Sequence, residues 1–283
     1  MLPILLDLKF IKIYTFGVFL MLAFFWGSYL LWRLTHLTSH KEEEVFDALF
    51  FCIFGSLFFG RFIYVILNFK DFGFNILKFI LINGYPGLSV YGLLVGGLIT
   101  LSLYCYFKKI KFKEMIDYWV SPFFLSMAII ELGSFFSGVE IGTKTKFPIA
   151  VKYVGYDGMR YPTAFYESLF FFLGAYLSHK LILAIRKEKC PQGFAFNFFG
   201  LFTGLVYLVF DKFKVNHLYF KGINFNFYFS YLLVLTFSVF FIYHFKSLII
   251  DRIKTYGQKT YKATLGRIKR NSPKRGNKNK SQN

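Results

Sequence analysis

Residues 46–67, FDALFFCIFGSLFFGRFIYVIL, form an apolar run that only two charged side chains interrupt, Asp47 and Arg61. A helix needs about 20 mostly apolar residues to cross the hydrocarbon core of a bilayer. Six other segments meet the same criterion, so the predicted spans are 13–32, 46–67, 87–107, 116–139, 163–185, 194–211 and 226–249. The apolar segment 74–82 is too short to span and is predicted to be interfacial or re-entrant. We therefore predict an all-α membrane protein, a polytopic bundle of about seven transmembrane helices with a small outer loop region.

The composition of the 283-residue chain agrees with this prediction. Hydrophobic residues make up 55% of the chain and charged residues 17%, whereas soluble domains average about 45–50% and 25%. These values exclude a disordered chain, a collagen-like repeat and an ordinary coiled coil, and they disfavour a soluble enzyme. The odd number and wide spacing of Cys52, Cys105 and Cys190 give no disulfide framework and no zinc pattern. No metal site is predicted.

The formal net charge of +19 is concentrated in the C-terminal tail. From Lys246 onward the tail carries twelve basic residues and a single acid, Asp251. Because basic residues favour the cytoplasmic side, the tail predicts an N-out, C-in orientation. It serves either to bind anionic lipid headgroups or only as a topology signal. We divide the chain into a membrane domain, 1–250, and a basic, disordered cytoplasmic tail, 251–283, and predict no nucleic-acid partner.

Charged side chains inside a predicted span cost about 3 kcal/mol or more, so each one indicates a function or a buried ion pair. Four such residues stand out here: Arg61, Glu131, Glu167 and Asp211. Pairing of Arg61 with Glu131 or Glu167 would lower the cost of burying each charge, and the alternative is two separate sites. Asp211 is expected at the membrane interface beside Lys212.

Two surfaces of small residues predict close helix packing. Glu131 shares a helical face with Ser134 and Gly138, so this small polar face is expected to point into the bundle. A small-xxx-small surface in the third span suits close contact with a neighbouring helix; it is formed by Gly92, Gly96 and Gly97.

Two pairs of motifs carry a resemblance to a known family. The first pair is GRFIYV at residues 60–65, followed by GLSVYGL at 87–93. The second pair is GSFFSG at 133–138, followed by RYPTAFYE at 160–167. In this order and spacing they resemble the prolipoprotein diacylglyceryl transferases, over nearly the whole chain up to about residue 250. The family's seven spans with N-out, C-in orientation agree with the predicted topology.

The resemblance implies that the protein moves a diacylglyceryl group from phosphatidylglycerol to the thiol of a lipobox cysteine in a preprolipoprotein signal peptide. Glycerol phosphate leaves and a thioether forms, with no cofactor. The implied location is the bacterial plasma (inner) membrane, in which the protein is multi-pass. The chemistry needs a proton acceptor because the thiolate is the nucleophile, cationic groups to hold the phosphate, and a dry cavity open to lipid.

The chain departs from the family at several polar positions. Glu131 and Asp211 stand where the family has arginines. These two acids are expected to weaken the binding of an anionic phosphate. Tyrosine replaces a family histidine at Tyr91, which is a poor base at neutral pH but can orient a headgroup by hydrogen bonding. In addition, Tyr161 replaces another family histidine, and Ser134 and Ser137 replace two family asparagines.

We predict that three residues act in catalysis: Tyr91, Glu131 and Glu167. Glu167 is expected to act as a base or to orient the reacting groups, while Arg61 and Arg160 hold the phosphate. The predicted substrate-binding residues are Arg61, Tyr64, Ser89, Ser134, Ser137, Gly138, Arg160 and Tyr166.

Two other functions stay open at the level of the sequence. The first is a non-catalytic relative that binds lipid or a protein partner in the inherited cavity. The second is an unrelated transporter or channel in which Arg61, Glu131 and Glu167 form an ion path, although no internal inverted repeat is visible in the chain.

Overall fold

A computed structural model describes residues 2–8, 11–38, 40–81, 84–85, 87–215, 219–220, 223–224 and 226–246. Its helices are α1 Thr15–Thr35, α2 Glu42–Leu67, α3 Phe69–Phe72, α4 Ile76–Ile80, α5 Val90–Lys108, α6 Phe112–Ser137, α7 Thr163–Arg186, α8 Phe194–Phe210 and α9 Asn226–Lys246. Three antiparallel hairpins join β1 Ile4–Leu8 to β2 Ile11–Tyr14, β3 Val151–Lys152 to β4 Met159–Arg160, and β5 Tyr219–Phe220 to β6 Ile223–Asn224.

The predicted fold class is confirmed. Among the described residues, seven helices, α1, α2 and α5–α9, are long and apolar enough to cross a membrane, and their bounds agree with the predicted spans to within a few residues. Within the described residues 74–81 the short apolar segment forms the five-residue α4. The chain is thus a polytopic all-α membrane protein. Its N-out, C-in orientation stays a prediction, as does the domain boundary at residue 250, and the basic tail 251–283 lies outside the described residues.

The chain divides into two compact units, Met1–Val234 and Leu235–Asn283. In the first unit α6 is the central helix and packs against α1, α7 and α8, while α2 packs along α5. One apolar core lies among α2, α5 and α6 and includes the small buried cysteines Cys52 and Cys105. A second core lies among α6, α7 and α8 around Phe124 and Phe171. In the second unit the described residues form the last part of α9.

Close contact between α2 and α5 depends on glycine, as the small-residue surface predicted. A Cβ atom added to Gly92 would lie 2.7 Å from the carbonyl oxygen of Phe59, and one added to Gly96 would lie 2.5 Å from Cβ of Phe59. A Cβ on Gly97 would lie 2.7 Å from Oγ of Ser56. Because no larger side chain fits these gaps, the glycines determine how closely the two helices approach.

Asp117 of α6 fixes the start of α8. Its carboxylate accepts hydrogen bonds from the backbone N–H groups of Gly193 and Phe196. These N–H groups at the first turn of a helix have no partner within the helix itself. A buried carboxylate from a neighbouring helix therefore caps α8 and ties it to the central helix.

A small layer of extended backbone covers one end of α6, α7 and α8. It is built from residues 141–145, with 159–161 on one side and 213–215 on the other. The hydrogen bonds that join these segments are Thr143 N to Phe213 O at 2.8 Å, Val215 N to Ile141 O at 3.0 Å, Tyr161 N to Thr143 O at 3.1 Å, and Thr145 N to Met159 O at 2.8 Å. This pairing brings three loops together that are far apart in the sequence.

Candidate active site

Three glutamates meet beneath this layer. Glu131 comes from the last part of α6, Glu140 from the loop that follows it, and Glu167 from the first part of α7. One carboxylate oxygen of each lies within 4.8 Å of those of the other two. Glu167 is fully buried and Glu131 is 8% exposed, whereas the side chain of Glu140 is 33% exposed. The cluster is therefore shielded from solvent beside α7 and is accessible to solvent on the side of Glu140.

Lys214 supplies the positive charge of this cluster. Its Nζ lies 2.8 Å from Oε2 of Glu140 and 2.9 Å from both carboxylate oxygens of Glu167. Burial alone lowers the pKa of Lys214, but the attraction of Glu167 and Glu140 outweighs this effect and leaves the pKa above its ordinary value. Lys214 is therefore charged at neutral pH.

The backbone layer sets the position of Lys214. Residues 213–215 pair with 141–143, so that Lys214 forms an antiparallel bridge with Gly142. A Cβ atom on Gly142 would overlap the carbonyl oxygen of Tyr161 on the other side. Only glycine allows the three segments to approach this closely, and a change in register by one residue would turn Lys214 away from the glutamates.

The polar face of α6 points into the bundle, as predicted. Ser134 and Ser137 are buried together with Glu131. The hydroxyl of Ser137 donates to the carbonyl of Gly133 at 2.7 Å, within its own helix. Gly138 ends the helix in a left-handed conformation with φ 72°. Oε2 of Glu131 is buried and has no hydrogen-bond partner, so this face presents one unpaired acceptor to the cluster.

Two further polar residues of α8 and its end border the cluster. The ring of Tyr207 lies 5.5 Å from Nζ of Lys214, and the charges of all three glutamates act on its hydroxyl. Asp211 is 3% exposed and interacts electrostatically with Glu167 and Tyr91. The turn after α8 therefore folds Asp211 inward, and its expected position at the membrane interface stays a prediction.

Tyr91 begins α5 near the same cluster. Its hydroxyl donates to Oδ1 of Asn226 at the start of α9, and its ring packs edge-on against Phe229 with centroids 4.7 Å apart. Lys214 also interacts electrostatically with Tyr91. The structure therefore brings together all three predicted catalytic residues, with Tyr91 at the edge of the glutamate cluster.

Arg61 binds backbone carbonyls rather than a glutamate, which decides between the two alternatives left open by the sequence. The Arg61 guanidinium donates to three backbone carbonyls, those of Lys78 at 2.8 Å, Phe79 at 2.9 Å and Gly87 at 2.9 Å. In the described part of the chain no carboxylate lies within ion-pair distance of it. The last carbonyls of a helix as short as α4 have no hydrogen-bond partner within the helix. The buried guanidinium of Arg61 donates to them instead.

Tyr64 and Ser89 belong to this same Arg61 region. The Tyr64 ring lies where a Cβ atom of Gly87 would otherwise be, and the Ser89 hydroxyl caps α5 by accepting from Gly92 N–H at 3.3 Å. These contacts give Arg61, Tyr64 and Ser89 a structural role in holding the loop between α2 and α5. Their predicted binding of substrate remains untested.

Arg160 and Tyr166 lie on the other side of the cluster, in the segment between α6 and α7 and at the start of α7. Nη1 of Arg160 donates to the Gly142 carbonyl at 3.1 Å, while its buried Nε has no partner. The Tyr166 hydroxyl donates to the carbonyl of Ile149 at 3.1 Å. Beside them lies a cavity of about 270 Å³ with an aromatic lining, formed by Phe147, Tyr161, Thr163, Tyr166, Phe170, Phe210 and Phe213.

The glutamate cluster has the donor set of a cation site, since carboxylate oxygens are the ligands that hard metal ions prefer. The ammonium of Lys214, however, already contacts Glu140 and Glu167. A metal ion would have to displace this charge, so the residues present fit an ammonium better than a metal.

The predicted site residues do not include Glu140, Lys214 and Tyr207. Glu140 lies between Gly138 and Gly142 in the stretch that continues the GSFFSG motif, which is a usable signal. Lys214 follows the sixth span in a segment that hydropathy assigns to an outer loop. Its position becomes evident only when that segment pairs with residues 141–143.

Comparison with known proteins agrees with the motifs. The sequence profile of the family described as prolipoprotein diacylglyceryl transferase matches residues 3–243. Proteins named phosphatidylglycerol–prolipoprotein diacylglyceryl transferase are similar to this chain in Clostridium tetani (31% identity, covering 72% of this chain and 81% of the relative), Finegoldia magna (27%, covering 74% and 82%) and Streptococcus suis (26%, covering 82% and 88%). The chain therefore belongs to the prolipoprotein diacylglyceryl transferase family.

Proposed function

We propose that this protein transfers a diacylglyceryl group from a phospholipid to the thiol of a lipobox cysteine in a preprolipoprotein. The names of its relatives specify phosphatidylglycerol and prolipoprotein as their substrates. The observation that carries the proposal is the buried Lys214–Glu167 pair beside an aromatic cavity, at the end of the bundle where the family motifs meet. The proposed location is the bacterial plasma membrane, with the cluster on the outer side.

The reaction makes one bond and breaks one. The thiolate sulfur attacks the glyceryl carbon that carries the phosphate, a C–S bond forms, and the C–O bond to phosphate breaks. The headgroup leaves as a phosphate monoester and the thiol proton passes to a base. A buried carboxylate is suited to accept this proton because it is held at a fixed position beside the substrate.

We assign the proton-accepting role to Glu167 or Glu131. Both carboxylate oxygens of Glu167 contact Nζ of Lys214. Oε2 of Glu131, in contrast, has no hydrogen-bond partner and is free to accept a proton. Lys214 and the unpaired Nε of Arg160 are the available donors for phosphate oxygens. Tyr91 would orient the headgroup through its hydroxyl, and the aromatic cavity would hold an apolar part of a substrate.

The test is a transfer assay in proteoliposomes with a lipobox peptide, in which mass spectrometry detects the diacylglyceryl thioether. The Clostridium tetani relative serves as the positive control. Glu167→Gln is expected to lower the rate by about 100-fold or more, since positioned acid–base groups typically contribute 10²–10⁴-fold. Lys212→Met, a change at an exposed lysine of the same loop, should leave the rate unchanged. A wild-type rate equal to that of Glu167→Gln would contradict the assigned role.

A second candidate is a non-catalytic relative that binds lipid. The observation in its favour is the acid at Glu131 and at Asp211, where the resemblance places family arginines. This candidate expects no thioether with any donor lipid under conditions in which the positive control is active, together with phospholipid that co-purifies with the protein.

A further inference from the structure

The segment between α6 and α7 places two basic residues directly opposite each other. Lys144 and Arg160 form an antiparallel bridge, and the hydrogen bonds that flank it join residues 143 to 161 and 145 to 159. In such a pair the two side chains leave the backbone on the same face, with Cβ atoms about 4.5–5.5 Å apart. Like charges in this arrangement destabilise a pair of strands.

The chain itself does not neutralise this basic pair. Among the described residues, no carboxylate lies within ion-pair distance of Lys144 or Arg160. Two cations that are held side by side without an acid form a favourable position for an anion.

Lys214 lies on the same face of the backbone layer. It pairs with Gly142, and Lys144 follows Gly142 by two residues, which is the period at which side chains return to one face of a strand. The neighbouring residues Phe213 and Tyr161 should then lie on the opposite face, and their rings are 5.0 Å apart and line the aromatic cavity. One face of the layer is therefore basic and the other aromatic.

The guanidinium of Arg160 is held in place and still has a donor to offer. Its Nη1 donates to the carbonyl of Gly142 at 3.1 Å, and its Cζ lies 5.1 Å from the centre of the Tyr156 ring. Its Nε is buried and has no hydrogen-bond partner, which costs free energy until a ligand accepts from it. The planar fork of a guanidinium matches the oxygens of a phosphate.

The side chain of Lys144 is positioned by the turn that leads into Arg160. Gly158 has a left-handed backbone with φ 80°, and a Cβ atom there would lie 3.7 Å from Cδ of Lys144. The stem of the lysine thus runs beside this turn. Because Lys144 is exposed, its ammonium is accessible to a ligand.

We infer that Lys144 and Arg160 together bind the phosphate of the donor headgroup. The inference rests on the proposed function and names its phosphate site. Bound here, the phosphate lies next to Lys214, which contacts the proposed base Glu167 at 2.9 Å. The nearby carboxylate of Glu140 is already paired with Lys214 at 2.8 Å, so it opposes the phosphate less than a free acid would.

This site supplies the positive charge that the two acids Glu131 and Asp211 do not. The bond changes of the transfer step stay the same: the C–S bond forms and the C–O bond to phosphate breaks. The electron pair of the broken bond stays on the phosphate oxygen, where two adjacent cations stabilise the added charge.

The first test measures transfer kinetics in vesicles that contain increasing fractions of phosphatidylglycerol. Lys144→Met should raise the KM for this lipid by about tenfold or more, since a charge-assisted hydrogen bond is lost. Its kcat should change by no more than about threefold, because binding is weakened in the ground state as well as in the transition state. Lys144→Arg keeps the charge and should restore the KM to within about threefold.

Lys152→Met is the matched control. Lys152 is exposed and belongs to the same hairpin, but it pairs with Met159. Its side chain therefore leaves on the face opposite to that of Arg160. The substitution removes the same charge, so it reproduces any loss of general attraction to an anionic vesicle, and its KM should equal that of the wild type.

The second test measures binding without transfer. Purified protein in detergent is titrated with glycerol phosphate and, separately, with inorganic phosphate, and binding is followed by phosphorus NMR. The wild type and Lys152→Met should bind glycerol phosphate about tenfold or more tightly than Lys144→Met. Equal affinities in all three proteins would overturn the inference.

The two tests separate the inference from the proposed function. Thioether formation with the same KM in Lys144→Met and Lys152→Met would overturn the inference and leave the transferase activity intact. If Lys144→Met weakens the binding of inorganic phosphate but leaves the KM for phosphatidylglycerol unchanged, the site takes free phosphate, and the assignment to the donor headgroup is wrong. Absence of any thioether would refute the proposed function, while the titration would still decide whether Lys144 binds phosphate.

Discussion

Replacing Lys214 by methionine should destabilise the protein more than any other single loss of a surface or loop lysine. The side chain of Lys214 is only 12% exposed and lies 2.8–2.9 Å from the carboxylates of Glu140 and Glu167. Methionine has a similar volume, so the change removes the charge with little change in packing. Removing one partner of a buried ion pair typically costs about 3–5 kcal/mol because the other charge is left uncompensated.

This loss is measurable as a shift in thermal unfolding. A cost of about 3–5 kcal/mol corresponds to a fall in Tm of roughly 10 °C for a chain of this size. The assay is thermal unfolding of the purified protein in one fixed detergent. Lys212→Met is the matched control, because Lys212 lies two residues away in the same loop and is exposed; its Tm should change by no more than about 1 °C.

A double mutant separates the ion pair from other effects of the substitution. Lys214→Met combined with Glu167→Gln removes both the lysine and the fully buried carboxylate. Its Tm should lie above the value expected from adding the two single changes, since residues in contact are coupled. Equal Tm values for Lys214→Met and Lys212→Met would refute the reasoning, and so would additive effects in the double mutant.

Three further substitutions test the supporting structure. Gly142→Ala should lower the free energy of unfolding by about 1–3 kcal/mol, because its Cβ would overlap the Tyr161 carbonyl; Gly17→Ala in α1, where a Cβ meets no atom within 4 Å, should instead be neutral or stabilising, and equal thermal shifts for both would contradict this. Asp117→Ala should cost about 1–2 kcal/mol in thermal unfolding because α8 loses its cap. Arg61→Met should speed proteolysis within residues 68–81 by about tenfold or more, since three backbone carbonyls lose their donor. An unchanged cleavage rate would show that other contacts keep this loop ordered.

The fold was largely predictable from the sequence. The spans follow from the length of apolar runs, which is a local property, and the bounds of α7 and α8 agree closely with the prediction. The glycine face of α5 was equally predictable, because a helix places residues three and four apart on one face whatever the helix packs against. The inward position of Glu131 follows from the same periodicity.

The identity of each charge's partner was decided by the tertiary structure alone. Arg61 binds carbonyls of a segment 17–26 residues further along the chain rather than a glutamate, and Asp211 is buried although it ends an apolar helix. Lys214 reaches Glu167 only because residues 213–215 pair with 141–143 in one register. Hydrophobic length and helical period are set by neighbours in the sequence, so the sequence by itself determined the spans and their inner faces. Charge pairing depends on distances between segments that meet only after folding, so only the tertiary structure decided which charges form the site.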